Sequence, residues 1–286
     1  MAVGGCVRGD ILQCPFHGWE FKQDGTVASV QGRVEHAPLK TRAETYTSVE
    51  RNQMILVWLD GAADAARRGR ADGGLDACVA DNPRWQVPVE SCLDAMQFVG
   101  IVEHAVAAHI QEIPENGADA AHLLTVHAPF VVPALSGTLD HDWDFTWTPG
   151  STAADKHTAV VGMTLGLRVM GALVHALAVK VHVTQVGPAL VHEHLTLPLG
   201  MGEVYVASTV TPVRPLMQRY THLMWASASV PRFLPKMLLR GLLAQVNRDV
   251  PIWNNKTYRA RPFVPLALAG SRGQPLTPTD RTRRRT

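Results

Sequence analysis

The sequence predicts an α+β protein, an incomplete small β domain followed by a larger domain whose antiparallel sheet is covered by helices. Three observations lead there. Short apolar stretches with turn signals fill residues 1–60, period-two alternation recurs between residues 143 and 213, and apolar residues three and four apart mark residues 231–253 as helical. Of 286 residues, 46% are hydrophobic and 18% charged, which suits a packed chain and not a disordered one. Lys and Arg number 27 against 25 Asp and Glu, a formal charge of +2 that is too balanced for a nucleic-acid surface. The dense basic run Arg281-Thr282-Arg283-Arg284-Arg285 reads as a solvated tail. Four Cys without even spacing argue against a disulfide framework.

Residues 1–60 are expected as short strands with turns at Asp24-Gly25 and Gln31-Gly32, closing on Met54-Ile55-Leu56-Val57-Trp58-Leu59 as a buried strand. Within them lies Cys14-Pro15-Phe16-His17-Gly18-Trp19. An iron–sulfur centre with two Cys on one iron and two His on the other takes one ligand for each metal from such a C-x-x-H loop. A zinc knuckle is the competing reading, and Cys78 and Cys92 lack the paired spacing it needs. Residues 61–82, rich in Ala, Gly, Asp and Arg, read as a linker, with Cys78 a thiol of no particular role.

The second domain is placed at 83–263. Its organising stretch is Glu115-Asn116-Gly117-Ala118-Asp119-Ala120-Ala121-His122-Leu123-Leu124-Thr125-Val126-His127, expected as a helix that begins at Pro114, where a missing N–H costs nothing. Asp119 and His122 share a face, whereas His122 and His127 lie roughly 140° apart on an ideal helix of 3.6 residues per turn. Both imidazoles can grip one metal ion only if the helix ends or bulges between them. Two His with one further carboxylate form the facial triad of a non-haem Fe(II) oxygenase. His104 and His109 imitate the pair with no carboxylate beside them except Glu103 and Glu112, and are expected to be structural.

Strands follow at 143–148, 159–169, 177–186, 189–197 and 203–213, with Gly187-Pro188 as a turn. Val181, Val183 and Gln185 alternate with His182 and Thr184, as in an antiparallel sheet with one buried face. His182, His192 and His194 are then sheet residues, not ligands. Two helices are expected next, at 215–229 and 231–253, the second with an apolar stripe of Leu234, Met237, Leu238 and Leu242 and with Asp249 late on it. On spacing alone Asp249 reads as a surface carboxylate paired with Arg248. Residues 264–286 are expected to be a disordered tail.

Three separated segments together resemble one family. Cys14-Pro15-Phe16-His17-Gly18-Trp19, then His109-Ile110-Gln111-Glu112-Ile113-Pro114 leading into Asp119, His122 and His127, then Gln245-Val246-Asn247-Arg248-Asp249 with Ile252-Trp253-Asn254-Asn255-Lys256, resemble the Rieske-type non-haem iron oxygenases, and most closely their sterol branch, the Neverland-type cholesterol 7-desaturases. The resemblance implies a partial Rieske domain over 1–60 and a helix-grip catalytic domain over 83–263. It implies His122, His127 and Asp249 as ligands of mononuclear Fe(II), Asp119 as the catalytic carboxylate linking that site to a neighbouring subunit's cluster, and Cys14 and His17 as half the ligands of a [2Fe–2S] cluster. The family's C-x-H loop stands about twenty residues before C-x-x-H, and thirteen residues precede Cys14 here. Either the sequence starts late or the chain does not assemble the cluster by itself.

The implied activity is desaturation of cholesterol at C7–C8 to 7-dehydrocholesterol, using dioxygen and NAD(P)H electrons delivered by a reductase or ferredoxin, in a homotrimer. A related steroid hydroxylase and a non-catalytic sterol-binding protein are the alternatives. Related proteins imply membrane association at the endoplasmic reticulum. Neither a signal peptide nor a membrane span is legible, since the most apolar stretch, Met163 to Val183, is broken by Arg168, His175 and Lys180.

Overall fold

The structure, a computed structural model, describes residues 3–34, 41–59, 83, 85–127, 130–132, 137–170 and 172–258. It divides into two units, Met1–Ser91 and Cys92–Thr286. The expected linker at 61–82, with Cys78, and the expected tail at 264–286 lie outside the described residues.

Among the described residues of the first unit, strands β1 (Cys6–Arg8), β2 (Ile11–Gln13), β3 (Trp19–Phe21) and β4 (Val27–Val30) form an antiparallel sheet in sequence order. The turns fall where Gly allows positive φ, +83° at Gly25 and +75° at Gly32. β5 (Ser48–Arg51) and β6 (Met54–Val57) pair as a hairpin, with Asn52 and Gln53 both at positive φ, as a type I′ turn requires. The buried strand expected here is half-exposed instead: Ile55 is 80% exposed and Val57 49%. β6 pairs only with β5 among the described residues, so one face of the ribbon stays open to water.

In the second unit the described strands form one eight-stranded antiparallel sheet. They are β7 (Met96–Val106), β8 (Phe130–Val132), β9 (Gly137–Pro149), β10 (Thr158–Val169), β11 (Ala172–Val186), β12 (Leu190–Leu197), β13 (Gly202–Arg214) and β14 (Met217–Ser227). The order across the sheet is β7-β14-β13-β12-β11-β10-β9-β8. Five of these overlap the expected strands, with β9 and β11 beginning well before the expected starts at 143 and 177. Residues 215–229, expected as a helix, are instead β14, wedged between β7 and β13. Its residues are buried on both faces, among them Thr221, His222, Met224, Trp225 and Ala226, so no alternation survives to betray a strand. Met217 and Met224 therefore sit on the sheet, apart from Met237 on the helix.

Three helices cross this sheet's ends and inner face: α1 (Glu112–Ala118), α2 (Ala120–Thr125) and α3 (Phe233–Asn254). Leu234, Leu238, Leu239 and Leu242 of α3 pack on a core built from Val161, Val181, Val204, Val206 and Met224. Further along α3, Val246 and Trp253 pack with Val106, Ile113 and Val210. The end of α3 is tied to the start of α1, because Asn254 Oδ1 accepts from the Ala107 N–H at 2.7 Å and Lys256 pairs with Glu112. Among the described residues, no helix is long and apolar enough to cross a membrane.

Candidate metal centre

Asp119 ends α1 and begins α2. With φ −101° and ψ 93° it leaves the helical region, and its Oδ1 accepts the Ala121 N–H at 2.9 Å as an N-cap. The single helix expected from Pro114 is thus two short ones, starting at Glu112 and broken at Asp119. α2 stops at Thr125, with the Val126 N–H closing the last turn on the His122 carbonyl at 2.7 Å. His127 lies past that end, so its ring swings back to within 5.0 Å of the His122 ring, centroid to centroid. The condition that two imidazoles five apart should meet, a helix that ends between them, is fulfilled.

Asp249 arrives from α3, two turns beyond Leu242 and only 5% exposed. Its Oδ1 lies 3.1 Å from His127 Nε2, and one ligand atom from each of His122, His127 and Asp249 falls within 4.8 Å of the others. Arg248 turns away and donates to Gln245 Oε1 at 3.0 Å, so the surface pairing of Asp249 with Arg248 gives way to burial beside His127. A carboxylate buried near a helix C-terminus meets an unfavourable dipole and loses hydration, a cost that a bound cation offsets. His122 Nδ1 lies 2.5 Å from the Asp119 carbonyl and so carries the proton it donates there, leaving Nε2 a free lone pair. Two imidazoles and one buried carboxylate suit ferrous iron with open positions left over.

The three donors open onto a cavity of about 290 Å³ between the sheet and α3. Val161, Met163, Leu165, Val181, Val183 and Met224 make most of its inner wall apolar. Glu193 and Tyr220 are the polar exceptions that spacing and motif did not find, and the only cue to Glu193 was its place in a strand that otherwise alternates. Burial pushes the Glu193 carboxyl up. Burial, and secondarily the charge of Glu193, pushes the Tyr220 hydroxyl up as well.

Gln185, on the same face, donates to the Pro114 carbonyl at 2.8 Å and so anchors α1 to the sheet. A Cβ on Gly117 would stand 2.2 Å from Gln185 Nε2. Gly117→Val must therefore displace the Gln185 amide and break that anchor. We expect the variant to fold but to bind Fe(II) about 10–100-fold more weakly, as for losses of groups that only orient metal ligands. Unchanged affinity in an anaerobic equilibrium titration would show that the anchor does not position His122.

His104 and His109 stay away from this cluster. His104 is buried against Tyr220 and His222, and His109 Nδ1 accepts the Gln111 N–H at 3.2 Å. His192, buried, meets the Tyr205 hydroxyl, while His182 is exposed.

In the first unit, Cys14 and His17 bracket the turn between β2 and β3. The Cys14 N–H donates to the Trp19 carbonyl at 2.7 Å and the Gly18 N–H to the Cys14 carbonyl at 3.1 Å, with Gly18 at φ +66°. His17 is exposed at the tip beside Phe16, itself 81% exposed. Cys6 is a strand residue whose Sγ lies 3.5 Å from Gln13 Oε1. Cys14 and His17 could supply two of the four ligands that a Rieske cluster needs, and residues 1–47 hold no C-x-H pair.

The family described as 3-Ketosteroid 9alpha-hydroxylase C-terminal domain matches residues 78–266, and the Rieske [2Fe-2S] domain matches residues 1–47. Among curated relatives, the chain is 33% identical over 276 residues to the cholesterol 7-desaturase of Xenopus laevis, covering 92% of this chain and 56% of that one. It is 35% identical over 272 residues to a cholesterol 7-desaturase of Ciona intestinalis, covering 92% of this chain and 53% of the relative. The chain thus spans just over half the length of these relatives. Among solved structures, Pseudomonas putida NdmA with caffeine superposes with a TM-score of 0.59 at 15% identity, covering 93% of this chain and 71% of that one. A quaternary ammonium Rieske monooxygenase superposes at 0.54 and 12% identity, covering 87% and 62%. From the two domain matches and the sequence relatives together, the chain belongs to the Rieske-type non-haem iron oxygenases.

Proposed function

We propose that this chain forms the iron- and sterol-binding part of an oxygenase that desaturates cholesterol at C7–C8 to 7-dehydrocholesterol. The observation that carries the reading is that two imidazoles and a buried carboxylate open onto an apolar cavity of about 290 Å³. In this reading His122, His127 and Asp249 hold the iron, which when bound supplies reductive activation of dioxygen. Everything else falls to the chain's own residues. Val161, Met163, Val181 and Met224 exclude water and grip a rigid hydrocarbon, with the Met side chains adapting to its outline. The relatives named as cholesterol 7-desaturases and the match to a ketosteroid hydroxylase domain both favour a steroid in that place.

Asp119 is the link to electron supply in this reading. It is exposed, one carboxylate oxygen is held by the Ala121 N–H, and its carbonyl holds His122. The other oxygen is open to a histidine from a neighbouring subunit's Rieske domain, as a homotrimer would bring it. A solved relative is described in terms of inter-subunit electron transfer, which supports that arrangement. Electrons come from a reductase or ferredoxin partner, and a sterol substrate places the protein at a membrane such as the endoplasmic reticulum.

Product analysis tests the reading. Iron-loaded protein supplied with cholesterol, dioxygen, NADPH, a ferredoxin and its reductase is expected to yield a product two hydrogens lighter than cholesterol with conjugated-diene absorption. A product one oxygen heavier would assign a hydroxylase instead. Cholesterol bound but unchanged would leave a non-catalytic sterol-binding protein.

A further inference from the structure

Among the described residues that line the cavity, Asp249 and Glu193 are the two acidic ones, and Glu193 has no part in the iron site. It sits on β12 between Val191 and Leu195, which line the same cavity. In a strand, alternate residues share a face, and here every second one faces the pocket. A carboxyl in such an apolar wall needs a reason.

Its surroundings point one way. Ser208 Oγ donates to Glu193 Oε1 at 2.9 Å and lies 2.8 Å from His222 Nδ1. With Ser208 donating to Glu193, the Ser208 oxygen is free to accept from His222 Nδ1, in the tautomer that carries the proton there. His222 Nε2 is then a bare lone pair, and it is indeed a buried atom without a hydrogen-bond partner among the described residues. Two donors thus point in one direction, His222 to Ser208 and Ser208 to Glu193 Oε1. Glu193 lines the cavity, its Oε2 has no hydrogen-bond partner among the described residues, and burial favours the neutral acid. Tyr220, beside it, is within electrostatic reach of both Glu193 and Asp249, so this polar end adjoins the iron side of the pocket.

We propose that Glu193, oriented by Ser208 and His222, donates a hydrogen bond to a ring oxygen of the substrate, hydroxyl or carbonyl, and thereby fixes which part of the ring system faces His122, His127 and Asp249. The assignment rests on the sterol reading above. It makes Glu193 a specificity-determining residue: a site built to pair with an oxygen rejects the analogue that lacks it, because the acid is then left buried and unpaired.

Equilibrium binding to the iron-free chain tests this with three probes: cholesterol, cholest-4-en-3-one and cholest-5-ene, which has no oxygen. The first two are expected to bind about tenfold to a hundredfold more tightly than the third. Glu193→Gln, whose amide still donates, keeps the preference, whereas Glu193→Met abolishes it and binds cholest-5-ene at least as well as wild type does. Ser208→Ala, which removes the group that orients the carboxyl, weakens the preference and supplies the same test where the methionine variant does not fold. If wild type binds all three probes alike, or a folded Glu193→Met retains the preference, the role of Glu193 is overturned while the sterol reading stands. If wild type binds none of the three, both fall.

Discussion

Asp249→Ala abolishes the mononuclear iron: under anaerobic equilibrium with Fe(II), its affinity is expected to fall by more than about a hundredfold. Even partners that merely orient metal ligands are worth about 10–100-fold, and Asp249 is proposed as a ligand itself. The expected effect on stability runs the other way. Without iron, wild type keeps a carboxylate that is 5% exposed near the C-terminal end of α3, where dipole and desolvation both work against it. The iron-free variant should therefore unfold in denaturant no earlier than iron-free wild type, and only wild type should gain stability from added Fe(II). Iron content equal to that of wild type would remove Asp249 from the site.

His222→Phe flattens the acid limb of the stability curve. Burial, with the charge of His104 adding to it, holds the His222 imidazole down to about 3, against 6.5 for the free side chain. A group whose folded value is depressed in this way stays neutral in the native state while the unfolded chain takes up a proton. Its contribution is intact above pH 6.5 and is lost as pH falls toward 3. At about 1.4 kcal/mol per unit, the full loss is on the order of 5 kcal/mol, comparable to the whole stability of a marginal domain. Burial pushes His104 in the same direction, and Glu193, pushed upward, acts oppositely above its ordinary range. Denaturant unfolding at a series of pH values, wild type against variant, isolates the His222 share. Parallel curves through that window would mean that the imidazole titrates normally in the fold.

The sheet and the iron site were legible to different degrees, for physical reasons. β10 to β13 announce themselves because one face meets the cavity and the other does not, as Val181, Val183 and Gln185 against His182 show. β14 does not, because Gln218, Thr221 and His222 are buried alongside Met224 and Trp225, and a strand with two covered faces carries no period-two signal. Its Tyr220, Leu223 and Met224 even fall at helical spacing. The break at Asp119 was hidden in a similar way, since an Asp within an Ala-rich run reads equally as a helix residue and as a cap. The two His were visible as a pair, but their convergence depended on α2 stopping at Thr125, which no motif states. Asp249 needed the family resemblance, because a carboxylate beside an Arg looks like a surface pair until α3 is seen to bury it. Glu193 carried no motif at all. It became visible only when Ser208 and His222, fifteen and twenty-nine residues away, were placed beside it by the register of β12, β13 and β14.

The most direct measurement is a crystal of the chain grown anaerobically with ferrous iron, with anomalous scattering collected at the iron edge. The account predicts a single strong peak in the second unit, in contact with His122, His127 and Asp249 at the mouth of the apolar cavity. A peak elsewhere in that unit, or none there with iron in excess, would contradict it.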